Sequence, residues 1–210
     1  MGKTALLVLN GPLSSREVSQ AENEAIDVTI AADGGANRAI AIGIHPNIII
    51  GDFDSVTQQT RQLLCDCRWI HKPNQETCDL EKALVLCQEE EVTNLKVVGL
   101  AGGRLDHTLS NLSVLARYDH CFQMDLFTET ADVFIVRNML SLPGFPGQLV
   151  SLIPMGTVEG VETQGLKFPL RGESLAFGMR EGASNKVIEN HFSVLVSSGV
   201  LIVFRSLRGI

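Results

Sequence analysis

The sequence is poor in basic side chains and in long apolar runs, and both shortages exclude classes of partner. Its 210 residues include 24 Asp and Glu against 17 Lys and Arg, for a net charge of −7 at neutral pH. No basic stripe is available, so neither a nucleic acid duplex nor an anionic membrane surface is expected as a partner. No apolar stretch approaches the length of a membrane span.

The cysteines do not have the spacing of a zinc ribbon or a disulfide framework. There are five of them, at Cys65, Cys67, Cys78, Cys87 and Cys121. An odd number without paired spacings fits a reducing compartment. A strand-like run begins within three residues of Met1, so no signal peptide is expected. These features predict a cytoplasmic protein.

Two familiar nucleotide-binding signatures are also missing. The sequence contains neither a G-x-x-x-x-G-K-[ST] loop nor the protein-kinase motifs. With no bulk positive field, an anionic ligand has to be bound by backbone amides, a few arginines and a metal ion.

The first part of the chain alternates between strand-like and helix-like segments. Strands are predicted at residues 4–9, 28–32, 48–50, 68–71, 95–100 and 122–127. Helices are predicted between them, with Ser15 as the cap of the first. The apolar face of the last helix is predicted at Leu105, Leu109, Leu112 and Leu115. Such alternation implies an α/β parallel sheet with helices on both faces, in a Rossmann-like arrangement.

The pattern changes after about residue 138, where prolines and glycines interrupt it. Short β-like runs follow at residues 149–153, 157–163, 174–177, 192–197 and 200–204, with no helical pattern among them. These runs predict a small all-β sandwich or barrel. We therefore expect two domains, an α/β domain at residues 1–138 and a smaller all-β domain at residues 139–210.

The segment Gly51-Asp52-Phe53-Asp54-Ser55 is the first candidate for a functional site. It follows an isoleucine-rich run typical of a strand buried on both faces. In extended geometry Asp52 and Asp54 would project to the same side, where a divalent cation could relieve their repulsion. The alternative is that both carboxylates only stabilise a turn before a helix.

Two other polar loops also follow predicted strands. Asp33-Gly34 ends the second strand, and Gly102-Gly103-Arg104 follows the fifth. Ligands of parallel sheets bind at the carboxyl ends of the strands, so these loops should gather at one edge. Carboxylates, backbone amides and an arginine together suit a polyphosphate held through magnesium.

Each neighbouring polar residue also has a structural interpretation. Asp106 could be an ordinary helix cap, and His107 either a catalytic acid or base or a structural hydrogen-bonding group. Asp79 begins a predicted helix, where the helix dipole stabilises an anion with or without a function. Glu76 could bind the metal or simply be solvated.

Read together, four stretches resemble the thiamin pyrophosphokinase family. They are Ala32-Asp33-Gly34-Gly35-Ala36, Gly51-Asp52-Phe53-Asp54-Ser55, Gln75-Glu76-Thr77-Cys78-Asp79 and Gly102-Gly103-Arg104-Leu105-Asp106-His107. The all-β part resembles the family through Ser151-Leu152-Ile153-Pro154, Gly165-Leu166-Lys167 and Ser184-Asn185. The resemblance spans nearly the whole chain in order. It departs from the family pattern at Cys78, commonly Thr, and at Glu76, commonly Asp.

The resemblance implies a fold, a reaction and a set of site residues. It implies an α/β catalytic domain and a β-sandwich for thiamin binding and dimerisation, in a homodimer with its active site at the subunit interface. The implied reaction transfers pyrophosphate from ATP to the thiamin hydroxyl, giving thiamin pyrophosphate and AMP. Mg²⁺ would be held by the catalytic residues Asp52, Asp54 and Asp79. The nucleotide side would comprise Asp33, Gly34, Gly102, Gly103, Arg104, Asp106 and His107. Thiamin would be bound by Gln75, Ser184 and Asn185.

Three other functions remain open at this point. A related pyrophosphokinase would use a pterin alcohol in place of thiamin. A phosphatase would use Asp52 or Asp54 as a phosphorylated nucleophile, although no downstream lysine and paired-aspartate pattern accompanies them. A nucleotide-sensing module would bind ATP without turning it over.

Overall fold

The computed structural model describes residues 2–209, which divide into two units between Glu129 and Thr130. In the first unit, strands alternate with helices as the apolar periodicity predicts. Its strands are β1 (Lys3–Val8), β2 (Val28–Ala32), β3 (Ile48–Gly51), β4 (Arg68–His71), β5 (Val92–Val98) and β6 (Gln123–Phe127). Its helices are α1 (Ser15–Ala21), α2 (Gly35–Ala41), α3 (Gln58–Leu63), α4 (Asp79–Glu89) and α5 (Leu105–Tyr118).

The strands of the first unit form a parallel sheet in the order β6-β5-β1-β2-β3-β4. The chain moves outward from β1 to β4 and then returns to place β5 on the other side of β1. The strand order therefore reverses between β1 and β5. In open α/β sheets this reversal opens a crevice at the carboxyl ends of the strands, where ligands bind.

Helices cover both faces of this sheet. On one face Leu6, Ala31, Ile49 and Val98 form a buried cluster with small residues of α1 and α2. The alternate strand positions are buried as well, and α4 contacts β2, β3, β5 and α5. Burial on both faces explains why these strands read as continuous apolar runs in the sequence.

The second unit consists of two antiparallel sheets with one shared core. One sheet has the order β12-β9-β14-β7 and the other β11-β10-β13-β8. Their strands are β7 (Ala131–Val136), β8 (Met139–Pro143), β9 (Gln148–Pro154), β10 (Thr157–Gln164), β11 (Arg171–Ala176), β12 (Gly182–Lys186), β13 (His191–Leu195) and β14 (Leu201–Gly209). Inward-facing residues of both sheets, including Val150, Val158, Phe192 and Val203, form the core. This arrangement is a β-sandwich.

The division between the units falls earlier than the boundary expected at residue 138. Strand β7 pairs antiparallel with β14, which places it in the second unit. Pro143, expected in an interrupting segment, ends strand β8 instead. Strands β7, β8 and β12 were absent from the sequence-based prediction; β8 and β12 have only five residues each, and β7 is defined by its pairing with the distant strand β14.

Two details of the predicted helices are wrong. The first helix is capped by Ser14, not Ser15, in a capping box with Glu17, whose carboxylate accepts from the Ser14 amide at 2.9 Å. In α5 the predicted apolar face includes Leu105 and Leu109, but their side chains are 85% and 53% exposed. Leu112 and Leu115 of that face are buried as predicted. Among residues 2–209, no helix combines the length and the apolar character needed to cross a membrane.

Candidate active site

Asp33 lies at the carboxyl end of β2 and is the least satisfied polar residue of the site. It is 4% exposed, and its Oδ1 is buried with no hydrogen-bond partner. Its backbone has φ of +43°, a left-handed conformation that few non-glycine residues adopt. Burial raises the pKa of its carboxyl; hydrogen bonds from Ser55 and the Gly34 amide partly offset this effect, and the nearby carboxylates of Asp79 and Asp54 add to it. A buried acid with one unpaired oxygen and a strained backbone is the signal of a functional position.

Asp52 and Asp54 come together by a turn rather than by the extended geometry that the sequence suggested. Phe53 between them has φ of +68°, and the Asp54 amide donates to Asp52 Oδ1 at 3.2 Å. The side-chain amide of Gln75 donates to Asp52 Oδ2 at 2.7 Å. These two donors lower the pKa of Asp52, the Asp54 amide having the larger effect. The extended-strand argument was therefore wrong, although the two carboxylates do lie together.

An aromatic cluster holds the strained turn in place. The Phe53 ring lies 5.0 Å from the Trp69 ring, edge to face, and stacks on the His71 ring at 5.5 Å. Arg61 donates to the Phe53 carbonyl at 2.5 Å and lies over the Phe53 and Trp69 rings. Aromatic and cation–π contacts of this kind each contribute about 0.5–1.5 kcal/mol, which can offset the backbone strain.

Three of the predicted carboxylates form one acidic cluster. Each of Asp33, Asp52 and Asp54 offers a carboxylate oxygen within 4.8 Å of the others. Asp79 begins α4 beside them, since a Cβ placed on Gly51 would lie 3.3 Å from Asp79 Oδ1 and 2.8 Å from the Asp33 Cβ. A side chain at position 51 would thus collide with Asp33, which explains why a glycine ends β3.

The glycine-rich loop after β5 contributes the next group of predicted site residues. Gly102 has φ of +89°, which a residue with a side chain rarely adopts. Arg104 pairs with Asp106 through two hydrogen bonds, at 3.1 and 2.5 Å, and this pairing lowers the pKa of Asp106 to about 2. Asp106 is therefore not the helix cap: the N-cap position is Arg104 itself, which makes no side-chain cap bond.

A cleft of about 530 Å³ joins these loops at the point where the strand order reverses. Residues 9–12 after β1 and residues 99–101, 103 and 104 after β5 form two of its walls. Asp33 and Asp79 lie on the acidic wall, and Arg104 and His107 on the opposite one. The cleft therefore presents carboxylates on one wall and amides with a guanidinium on the other.

Several lining residues were missed from the sequence. They are Asn10, Arg38, Thr108 and Asn111; Ser55, which also lines the cleft, lay in the candidate segment at residues 51–55 without an assigned role. Arg38 donates through Nε to the Asn10 carbonyl at 3.1 Å, which ties α2 to the loop after β1. The position of Asn10 directly after a predicted strand was the one signal available. Arg38 and Asn111 lie within helices, where only the tertiary fold identifies the face that meets a ligand.

The remaining predicted residues belong to other segments of the chain or have other partners. Gln75 contacts Asp52 as described, whereas Glu76 is exposed. Ser184 and Asn185 belong to the second unit, in β12. Asn185 is 5% exposed, and its side chain bonds both the Phe168 amide, at 3.0 Å, and the Phe168 carbonyl, at 2.7 Å. This side-chain amide is committed to holding the backbone at Phe168.

The donor set of the acidic cluster fits a hard divalent cation. All of its groups are carboxylate oxygens, the ligands that Mg²⁺ prefers, and Asp33 Oδ1 lacks a protein partner. The opposite wall carries the glycine-rich loop, whose backbone amides suit a phosphorylated ligand, and the guanidinium group of Arg104. Fold and cleft together define an α/β protein with a polar cleft at the carboxyl edge of its parallel sheet.

Comparisons with known protein families and structures identify the family to which this α/β protein belongs. The thiamin pyrophosphokinase catalytic domain model matches residues 20–127, and the vitamin B1 binding domain model of the same enzymes matches residues 139–201. The chain belongs to the thiamin pyrophosphokinase family, which confirms the resemblance seen in the four motifs.

Individual relatives agree with the family assignment. Thiamine pyrophosphokinase 2 of Oryza sativa subsp. japonica is 30% identical over 220 residues, spanning 88% of this chain and 79% of that protein. Thiamine pyrophosphokinase of Bacillus subtilis is 23% identical over 219 residues, spanning 97% and 99% of the two chains. The crystal structure of the Bacillus subtilis enzyme has the same fold, with a TM-score of 0.84 at 24% identity over 97% of this chain and 99% of that one.

Proposed function

We propose that this chain transfers a pyrophosphoryl group from ATP to the hydroxyl of thiamin, releasing AMP, with Mg²⁺ as the required cation. The observation that carries the proposal is the acidic cluster of Asp33, Asp52 and Asp54, whose member Asp33 lines one cleft together with Asp79, Gly103 and Arg104. Membership of the thiamin pyrophosphokinase family supports the choice of substrates.

Asp52, Asp54 and Asp79 are the residues we assign to Mg²⁺, with Asp33 completing the acidic wall. When bound, the cation neutralises charge on the phosphate oxygens and orients them. The protein supplies fixed carboxylates: the Asp54 amide and Gln75 orient Asp52, and the aromatic cluster around Phe53 fixes the turn between Asp52 and Asp54. Preformed oxygen ligands avoid reorganisation during the reaction.

The nucleotide phosphates are assigned to the crevice between β1 and β5, in the manner of Rossmann-like sheets. Gly102 and Gly103 would offer backbone amides, Arg104 and Arg38 positive charge, and His107 a further polar contact. Asp33 and Gly34 end the site on the β2 side, and Asp106 holds Arg104 at the mouth. Phosphoryl transfer depends chiefly on positioning and charge neutralisation, so these groups should matter more than any base.

The proposed chemistry is in-line attack of the thiamin hydroxyl oxygen on the β-phosphorus of ATP. The new bond joins that oxygen to the β-phosphorus, and the bond from the β-phosphorus to the AMP oxygen breaks. We assign the hydroxyl proton to Asp52 or Asp54, the two carboxylates of this turn; Asp54 Oδ1 also accepts from Ser55 at 2.8 Å.

Thiamin binding is assigned to Gln75 together with Ser184 and Asn185 of the second unit. Asn185 would act by holding the backbone at Phe168, because both ends of its amide are already bonded there. We further propose a homodimer with the active site at the subunit interface, working in the cytoplasm.

The test is AMP release from ATP, measured with and without thiamin and with and without Mg²⁺. The proposal requires AMP release that depends on both, with thiamin pyrophosphate formed in equal amount. A hydroxymethylpterin that replaces thiamin would assign the chain to the pterin-using reaction. A trapped aspartyl-phosphate would favour the phosphatase mechanism, and tight ATP binding without AMP release would favour a sensor.

A further inference from the structure

Lys82 is an almost buried lysine whose ammonium group contacts Asp79, on the side of that carboxylate away from the cleft. It lies one turn after Asp79 in α4, and its Nζ donates to Asp79 Oδ1 at 2.9 Å. The side chain of Lys82 is 7% exposed, whereas that of Asp79 is 34% exposed. The pair therefore has a buried cation behind a carboxylate that reaches the solvent of the cleft.

This burial distinguishes the pair from an ordinary helical ion pair. Exposed Lys–Asp pairs three residues apart contribute little to stability, and their lysines stay in solvent. Removing an ammonium from water is costly, and an apolar side chain of similar size would usually pack as well or better. Within the described part of the chain, Asp79 Oδ1 is the hydrogen-bond partner of Lys82 Nζ. Stability alone does not account for a lysine at this position.

Lys82 does not line the substrate cleft itself. Its side chain lines a neighbouring cavity of about 240 Å³, together with Ile50, Val85 and Tyr118. Asp79, by contrast, lines the substrate cleft. Any effect of Lys82 on bound substrate therefore has to pass through the Asp79 carboxylate.

We propose that Lys82 is a positioning residue that fixes Asp79 Oδ1 beside the acidic cluster, on the side where it would lie 3.3 Å from a Cβ at Gly51. This inference rests on the proposed function, since it assigns Lys82 to the same reaction. The Lys82 charge also offsets part of the repulsion among the cluster's carboxylates. Consistent with that role, it is one of the lesser contributions that lower the pKa of Asp52, after the hydrogen bonds from the Asp54 amide and Gln75.

The first experiment compares Lys82→Met, Lys82→Arg and the control Lys72→Met. Methionine keeps the length of the aliphatic stem and removes the charge, while arginine restores a donor to Asp79. Lys72 lines the same cavity but is exposed, and no ion pair to the acidic cluster involves it. Each variant is assayed for kcat, KM and Mg²⁺ affinity by calorimetric titration, and for its thermal unfolding midpoint.

We expect Lys82→Met to lower kcat or Mg²⁺ affinity by about 10- to 100-fold, the usual cost of losing a group that orients a metal ligand. Its unfolding midpoint should change little, because the Asp79 carboxylate left without its partner is 34% exposed and stays hydrated. Lys82→Arg should recover most of the loss, and Lys72→Met should match the wild type. A merely structural lysine would instead lower activity and the unfolding midpoint together, and that result would overturn the inference.

The second experiment is a double-mutant cycle with Asp79→Asn. If Lys82 acts through Asp79, the double variant should be no slower than Asp79→Asn alone. Additive losses would overturn the inference. So would a Lys82→Met variant that equals an active wild type in both turnover and Mg²⁺ affinity. A wild type without thiamin-dependent AMP release would instead refute the proposed function, so the two failures are distinguishable.

Discussion

Asp33 in the first unit and Asn185 in the second are both buried polar residues, 4% and 5% exposed, yet their surroundings differ. The Asn185 amide is bonded at both ends, to the amide and the carbonyl of Phe168. Asp33 Oδ1 has no partner, and the backbone at Asp33 is strained. The side-chain amide of Asn185 has its hydrogen bonds satisfied within the protein. Asp33, which lines the cleft, retains an acceptor oxygen without a partner.

The difference separates an architectural polar group from one available to a ligand. A satisfied buried amide stabilises the loop that it bridges, and its loss leaves backbone groups unpaired. An unsatisfied buried carboxylate costs stability and persists where function requires it. Substitution of Asn185 should therefore lower the free energy of unfolding. Substitution of Asp33 should raise the free energy of unfolding and lower activity.

The largest effect is expected at the carboxylates assigned to Mg²⁺, in Asp54→Asn and Asp79→Asn. Each replaces a charged oxygen by an amide of the same shape, so kcat should fall about 10²- to 10³-fold while folding is kept. Steady-state AMP release together with circular dichroism measures both. Asp66→Asn, at an exposed carboxylate before β4, is the matched control. Near-normal turnover in either variant would remove that residue from the proposed site.

The next largest effect is expected in the second unit, in Asn185→Ala. Loss of the side chain leaves the Phe168 amide and carbonyl unpaired, and the free energy of unfolding should fall by about 1–3 kcal/mol. Denaturant titration measures this change. Ser184→Ala, at the exposed neighbouring residue, should stay within about 0.5 kcal/mol of the wild type. Equal losses in both variants would contradict the architectural role of Asn185.

A smaller effect of opposite sign is expected for Asp33→Asn, which should raise the free energy of unfolding by about 0.5–2 kcal/mol while lowering activity. Burying the ionised carboxylate of Asp33 lowers the stability of the wild type. Because burial raises the pKa of Asp33, the group is protonated at acidic pH, and the wild type does not lose this stability there. As pH rises through the raised pKa, the wild type buries a charge and loses stability that the variant keeps. Denaturant titrations from acidic to neutral pH should therefore show a widening gap; a constant gap would argue against a buried charge.

The smallest change in stability is expected for Arg104→Gln, because the pair with Asp106 is exposed. The unfolding midpoint should not move, while KM for ATP should rise about tenfold through loss of a phosphate-binding cation. The pKa of Asp106, about 2 in the pair, should rise toward its ordinary range, which carboxyl NMR titration measures. An unchanged KM for ATP would exclude Arg104 from nucleotide binding.

Much of the first unit was predictable because its strands are locally encoded. β2 and β4 match the predicted residues 28–32 and 68–71, and β1, β3, β5 and β6 differ only at their ends. The second unit was harder, since β7 and β12 are defined by pairing with distant strands, β14 and β9. The exposed side chains of Leu105 and Leu109 show the same limit of sequence-based prediction. Helical periodicity predicts an apolar stripe on α5, but tertiary packing decides which residues of the stripe are buried.

The sequence by itself determined which carboxylates and glycines follow strands, because apolar runs and turn residues are local features. Only the tertiary structure placed β5 beside β1, which joins the loops at Asn10 and Gly102 into one cleft. It alone also decided that Asp52 and Asp54 meet through a left-handed Phe53, and that Lys82 lies buried behind Asp79. Strand order, backbone strain and burial depend on contacts between residues far apart in the chain, which local periodicity does not record.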